Sequence, residues 1–298
     1  MRRVLVSAVL LAAWSGVGTI EAQDTAKSAI LPVNAYTTGN QSAPNVVSNP
    51  DGSFVVVWES SGQEPGQYVG AGVYARRFDA LGNPLAAEFL VNEYTPQDQA
   101  LRVAADESGN FIVVWQGAGA TDLTGVHGRL FTASGTPVGP EFTVHPPTPL
   151  AAEVAPAVAR SETGYVVAWE EYVTGSQNEI FGVVFTNAAA AGGGPFHVNT
   201  YTTGGQGKPE VAMDSSGNFF VSWASAGEIR GRGFTAAGAP LSDDFQINTR
   251  TFPARPGRGS RTGSRSSTTV RSREAAEPIR SGTARQTRSL ADRCRPSS

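Results

Sequence analysis

From Val33 onward the chain repeats one pattern of apolar and polar positions. A turn is followed by an apolar run, of which Phe54-Val55-Val56-Val57-Trp58 is the clearest. Its tryptophan recurs at Trp115, Trp169 and Trp223, at spacings of 57, 54 and 54 residues. Four residues before each stands Phe54, Phe111, Tyr165 or Phe219, and just before these Gly52, Gly109, Gly164 or Gly217. Downstream come Phe78, Phe131, Phe185 and Phe234, then a Gly-x-Pro turn such as Gly82–Pro84. A Phe-x-Val-Asn segment closes the unit, as at Phe89–Asn92. Markers kept in register four times define tandem structural repeats.

Each unit predicts four short strands, with β-rich runs separated by turn residues and no helical period. In the first unit these are Asn45–Ser48, Phe54–Trp58, Val73–Phe78 and Glu88–Asn92. The second strand is apolar at consecutive positions rather than alternating, which predicts that both its faces are covered. Stacked propeller blades satisfy this, and a string of small sandwiches or a solenoid is the alternative. The expected fold is all-β: a β-propeller-like array of four-stranded antiparallel repeats with a disordered C-terminal tail. The repeat domain is placed at 23–252, with units at 33–91, 92–144, 145–198 and 199–248.

The pattern Gly-x-Phe-x-Val-x-Trp, Arg-x-Phe-x-x-x-Gly-x-Pro, Glu-Phe-x-Val-Asn resembles the tandem repeats of secreted bacterial proteins of the β-propeller type. Gln206-Gly207-Lys208-Pro209-Glu210-Val211-Ala212 through Trp223 shows its first part best. The resemblance covers about residues 30–250 and implies an architecture and an extracellular or surface location, not an activity. Leu101 stands where the pattern has Pro, Val183 where it has Arg, and the third unit lacks the Glu before Phe196.

Composition adds the ends. Of 298 residues 40% are hydrophobic and 16% charged, enough apolar material for a core and too little charge for a uniformly disordered chain. Arg2 and Arg3, the apolar run Val4–Ala13 and small residues up to Ala22 predict a secretory signal peptide over 1–22. That run is too short to span a bilayer. The net charge of −3 conceals a split. Residues 253–298 carry eleven Arg against three acids, a net of +8, and the first 22 residues +1, leaving −12 for the body. An acidic body is expected to repel nucleic acid and anionic membranes. The Arg/Ser/Gly-rich stretch lacks aromatic residues and cannot build a core. Two readings stay open for it: a basic disordered tail that binds nucleic acid, glycans or an acidic surface, or an out-of-frame translation beginning where a fifth unit should start.

Candidate chemistry is sparse. One Cys, Cys294, excludes an internal disulfide framework and multi-Cys metal sites. His127, His145 and His197 fall at unrelated positions of different units. No cofactor is expected. Calcium is raised only by the turns Asp106–Gly109 and Asp214–Gly217, whose Asp and Ser are read as turn-closing residues. Gly70–Ala75 and Gly231–Ala236 match Gly-x-Gly-x-x-Ala but lack the strand-then-helix context of a dinucleotide site. Arg76, Arg129 and Arg232 share one repeat position and are the candidates for a ligand clamp, against a reading as structural consensus. Glu88, Glu141 and Asp244 repeat likewise and are candidate partners of those arginines. Loops between the second and third strands vary most, and Tyr68 and Tyr172 are their aromatic candidates for protein or glycan contact. The leading expectation is a secreted or surface-displayed, non-catalytic repeat protein acting as a binding or structural module. The alternative is an extracellular propeller hydrolase or lyase acting on polysaccharide, and a fragment without activity of its own is a third reading.

Overall fold

The computed structural model describes residues 30–64, 70–93, 100–117, 125–145, 153–172, 177–187 and 192–249. The expected signal peptide, Tyr68 and the stretch 253–298 with Cys294 lie outside the described residues. The first sheet holds β1 (Gln41–Ser48), β2 (Phe54–Ser61), β3 (Ala71–Phe78) and β4 (Phe89–Leu90). The second holds β5 (Ala100–Ala105), β6 (Phe111–Gly117), β7 (Gly125–Phe131) and β8 (Phe142–Thr143). The third holds β9 (Glu153–Ser161), β10 (Gly164–Tyr172), β11 (Asn178–Phe185) and β12 (Phe196–His197). The fourth holds β13 (Gln206–Met213), β14 (Phe219–Ser225), β15 (Glu228–Phe234) and β16 (Phe245–Gln246). Every sheet is an antiparallel meander in chain order, and no helix occurs among the described residues.

The recurring aromatics are cross-strand partners. Phe54 pairs with Phe78, Phe111 with Phe131 and Phe219 with Phe234, and each pair stacks at 5.0 Å between ring centroids. Tyr165 takes the same place against Phe185 at 4.9 Å. Facing aromatic pairs are among the stronger cross-strand contacts, which ties the two inner markers of each unit to one packing position. In the first, second and fourth units the tight turn ahead of the pair is closed by an Asp or Asn and a glycine at positive φ, +83° at Gly52, +81° at Gly109 and +85° at Gly217.

The first strand begins earlier than the sequence predicts. β1 starts at Gln41 because a bulge between Ser42 and Asn45 carries the ladder past Pro44. Proline has no N–H to donate, so the ladder must shift there. The residue before it lies in the left-handed region: Ala43 at +49°, Ala155 at +51° and Lys208 at +54°. In the second unit Leu101 replaces the proline and β5 pairs with β6 without a shift.

The fourth strand is brief because a side chain finishes it. The Val91 amide donates to the Val73 carbonyl (2.7 Å), and the Val73 amide returns a bond to Asn92 Oδ1 (2.8 Å). Asn199 with Ile180 and Asn248 with Ile229 repeat this at 2.8 Å. The asparagine of each Val-Asn pair thus supplies an acceptor where the backbone ladder ends.

The cores lie between sheets. One joins Val55, Val57, Val73 and Val91 of the first sheet to Leu101, Val113 and Trp115 of the second. Another joins Ile112, Val114 and Val144 to Tyr165, Val167 and Trp169. A third joins Val166, Ile180 and Val198 to Phe219, Val221 and Trp223. This is why the second strand is apolar at consecutive positions: β2, β6 and β10 are buried on both faces. β14 departs from the expectation. Its burial alternates strictly, so the fourth sheet covers only one face.

Tyr165 offers a test of this packing. Its ring is fully buried and its hydroxyl has no partner, and burial pushes the phenol pKa up. The other units hold phenylalanine here. A Tyr165→Phe variant is expected to gain up to about 1 kcal/mol, because a desolvated, unbonded hydroxyl is removed. A urea midpoint lower than that of the parent would show that the hydroxyl has an acceptor after all.

Candidate functional site

Antiparallel pairing places the connections at two ends. The tight turns between first and second strands gather at one end, and the ends of the second strands from which the variable loops leave lie opposite. Tyr172 stands at the loop end of β10 and is exposed.

The repeated arginines form staples between successive units. Arg129 Nε donates to the Gly139 carbonyl (3.1 Å) in its own unit, and Nη1 to the Val91 carbonyl (2.9 Å) at the end of the preceding one. Arg232 does the same with Ser242 (2.7 Å) and Val198 (3.0 Å). Arg76 does so with Ala86 (3.2 Å) and Val33 (2.8 Å). Each guanidinium also lies 5.5–5.8 Å from the centroid of the phenylalanine two residues on. The planar fork suits this bridging of two fixed carbonyls.

The repeated acids act beside them, but on backbone amides rather than on those arginines. Glu88 accepts from Ala35 (2.6 Å) and Tyr36 (3.0 Å), Glu141 from Glu93 (2.7 Å), and Asp244 from Thr200 (2.6 Å) and Tyr201 (2.9 Å). Burial opposes ionisation of Asp244, but the Tyr201 amide, the Arg230 guanidinium and Thr200 outweigh it and hold its pKa below the usual 3.8. A carboxyl with a depressed folded pKa stabilises above its unfolded value and loses that stability as pH falls through the folded value. Acidification from about pH 5 to pH 2 should therefore destabilise the protein, and Asp244→Asn should flatten that dependence in urea titrations. A variant with an unchanged slope would dismiss Asp244 as the group responsible.

The Asp-Gly turns use their carboxylates locally. Asp106 accepts from the Asn110 amide (2.9 Å), and Asp214 from those of Ser216 and Asn218 (2.9 Å each). His127 lies against Trp115, His145 against Trp169 and His197 against Phe181, three separate places.

One cavity, of about 240 Å³, is reached by all four units. It lies at the tight-turn end and is lined by Ser48, Asp106, Glu107, Arg160, Glu162 and Asp214 among others. Arg160 and Asp106 form a buried ion pair there, with Nε at 3.0 Å and Nη2 at 2.9 Å from Asp106 Oδ2. Arg160 Nη1 is buried without a partner. Glu162 Oε1 accepts from the Ser108 amide (2.7 Å) across units. The sequence reading overlooked Arg160, although a signal existed: the matching positions hold Ser48, Ala105 and Met213, so a charge there breaks the repeat. Arg230 was overlooked in the same way. It replaces the aromatic or histidine of Tyr74, His127 and Phe181, bonds Asp244 at 2.6 Å and lies 4.4 Å from the ring centroid of Tyr201.

Neither a family model nor a curated protein matches the sequence. Solved structures do match the fold. An α-L-arabinofuranosidase from Fusarium graminearum superposes with a TM-score of 0.51 at 11% identity, over 72% of this chain and 68% of that one. A protein of unknown function from Dyadobacter fermentans gives 0.50 at 12%, over 74% and 67%. A xylan β-1,4-xylosidase from Bacillus halodurans gives 0.44 at 14%, and this chain spans half of its length. The fold is thus all-β and β-propeller-like.

Proposed function

We propose that this chain is an extracellular, propeller-type glycoside hydrolase acting on polysaccharide, with the acidic cavity shared by the four units as its site. One observation carries the reading: this chain shares its fold with a solved arabinofuranosidase and has a cavity that all four units reach, lined by Asp106, Glu107, Glu162 and Asp214 among others. Glycoside cleavage employs two carboxyl groups across a cleft, one as acid and one as nucleophile or base. Asp106 is held by its own turn and by Arg160, and Asp214 by its own turn. Glu162, which accepts one bond, from the Ser108 amide, and Glu107 are the carboxyls assigned to chemistry, and Arg160 lines the same cavity. This places the hydrolase ahead of the non-catalytic module that the sequence alone favours. The resemblance to secreted bacterial tandem-repeat proteins and the signal peptide over 1–22 support the extracellular location.

A second reading keeps the cavity as a binding site without turnover, because half of its carboxylates are taken up by turn hydrogen bonds. Reducing-sugar release from arabinan and xylan separates the two. Hydrolysis is expected, with Glu107→Gln and Glu162→Gln each lowering the rate by roughly 100-fold or more. Calorimetric binding of the same polysaccharides without release would install the module reading. Neither binding nor release by the folded protein would overturn both.

A further inference from the structure

The tyrosine at the start of the fourth unit is fixed in place yet left open. Tyr36 and Tyr201 both stand two residues after a unit-closing asparagine, Asn34 and Asn199. Tyr36 donates its hydroxyl to the Gly62 carbonyl (2.7 Å), in the long loop that leaves β2. The fourth unit has no such loop. Ala226 and Gly227 alone join β14 to β15, at φ of +46° and +93°, as a two-residue hairpin turn requires. Among the described residues Tyr201 forms hydrogen bonds only through its backbone, its amide donating to Asp244 and its carbonyl accepting from Asn199. The residue is 37% exposed.

The ring is held from one side. The Arg230 guanidinium lies 4.4 Å from its centroid and is itself pinned by Asp244 (2.6 Å) and Glu228 (3.3 Å). Asp244 thus fixes both the backbone that carries the ring and the cation against it. At the position of Arg230 the other units hold Tyr74, His127 and Phe181, so this clamp belongs to the fourth unit. A ring ordered in advance loses little freedom when a ligand settles on it. Tyr172 stands at the same junction of the third and fourth units. It shares the strand face of Glu170, whose Oε2 accepts from the Lys208 amide (3.2 Å). Its ladder partner Asn178 precedes Glu179, and Asn199 Nδ2 donates both to Glu179 and to the Tyr201 carbonyl. Tyr172 is 49% exposed.

We propose that Tyr201 and Tyr172 form a second, non-catalytic carbohydrate surface, on which a polysaccharide chain stacks its sugar rings. The ligand class rests on the hydrolase reading above. The surroundings favour a sugar over an apolar protein patch, because the neighbours of the two rings are polar: Thr200, Lys208 and Glu228. A sugar presents C–H faces to an aromatic ring and hydroxyls to the phenol and to Glu228, the combination of apolar body and polar tip that tyrosine offers. The surface is separate from the cavity. β13 begins at this end with Gln206 and finishes at Met213, which lines the cavity. Eight residues of strand span roughly 25 Å, so a polymer can engage both places and a single sugar cannot.

Calorimetric binding of soluble arabinan and xylan tests this, in a Glu162→Gln background that slows consumption of the polymer. Tyr201→Ala is expected to weaken binding by roughly tenfold or more, and Tyr201→Phe, which keeps the ring, by less than about threefold. A second measurement needs no change at the surface. Nitration by tetranitromethane, read by peptide mass spectrometry, should fall severalfold at Tyr201 and Tyr172 when polymer is present and stay the same at Tyr36. A folded Tyr201→Ala protein that binds as tightly as its parent would overturn the proposal and leave the hydrolase reading standing. So would nitration indifferent to polymer, or cleavage of polymer by the natural chain without measurable binding. A folded natural chain that neither binds nor cleaves either polymer would overturn both.

Discussion

Replacing Trp115 with alanine is expected to cost about 3–5 kcal/mol, the range for a large aromatic truncated in a packed core. The ring is fully buried at the junction of the first and second sheets, against residues that include Val57, Val73 and Leu101. Domains of this kind are stable by about 5–15 kcal/mol in all, so this one change would remove a large share. The indole N–H has no acceptor, so Trp115→Phe keeps most of the packing and gives up no hydrogen bond. Urea unfolding followed by circular dichroism should show a large fall for alanine and a small one for phenylalanine. Equal, small losses would mean that the two sheets do not depend on this ring.

The Arg232→Ala change comes next, at about 2–4 kcal/mol, since bonds from a charged donor are worth about 1.5–3 kcal/mol each and are not additive. It strands the Val198 and Ser242 carbonyls and removes the cation over Phe234. Lysine should not restore the loss, because one ammonium cannot reproduce a fork that spans two fixed carbonyls. The same variants address the ligand-clamp reading of Arg76, Arg129 and Arg232. A clamp would lose polysaccharide binding at an unchanged thermal midpoint, whereas a staple loses the midpoint first.

The repeat grammar was legible because its markers are local. Phe54 and Phe78 face each other through a register that the turn and strand lengths already set, and Asp51, Asp106 and Asp214 with the glycines of their turns perform their tasks within a few residues. The early start of β1 was hidden because proline normally ends a strand, and only the bulge at Ala43 shows how the ladder passes it. Arg160 and Arg230 were visible as departures from the repeat, but their partners Asp106 and Asp244 lie 54 and 14 residues away.

By itself the sequence determined four all-β units, their sheet-forming strands, their turns and the apolar faces between them, since strand periodicity and turn chemistry act over a few residues. Only the tertiary structure decided which carbonyls the repeated arginines reach, which acids hold which amides, and that Asp106, Glu107, Arg160, Glu162 and Asp214 line one cavity. It alone decided that the Val33–Asn34 pair acts as the end of a unit rather than the start of one. Such contacts depend on where one sheet stands against the next, and that placement is set by the summed packing of whole faces, which no single motif records.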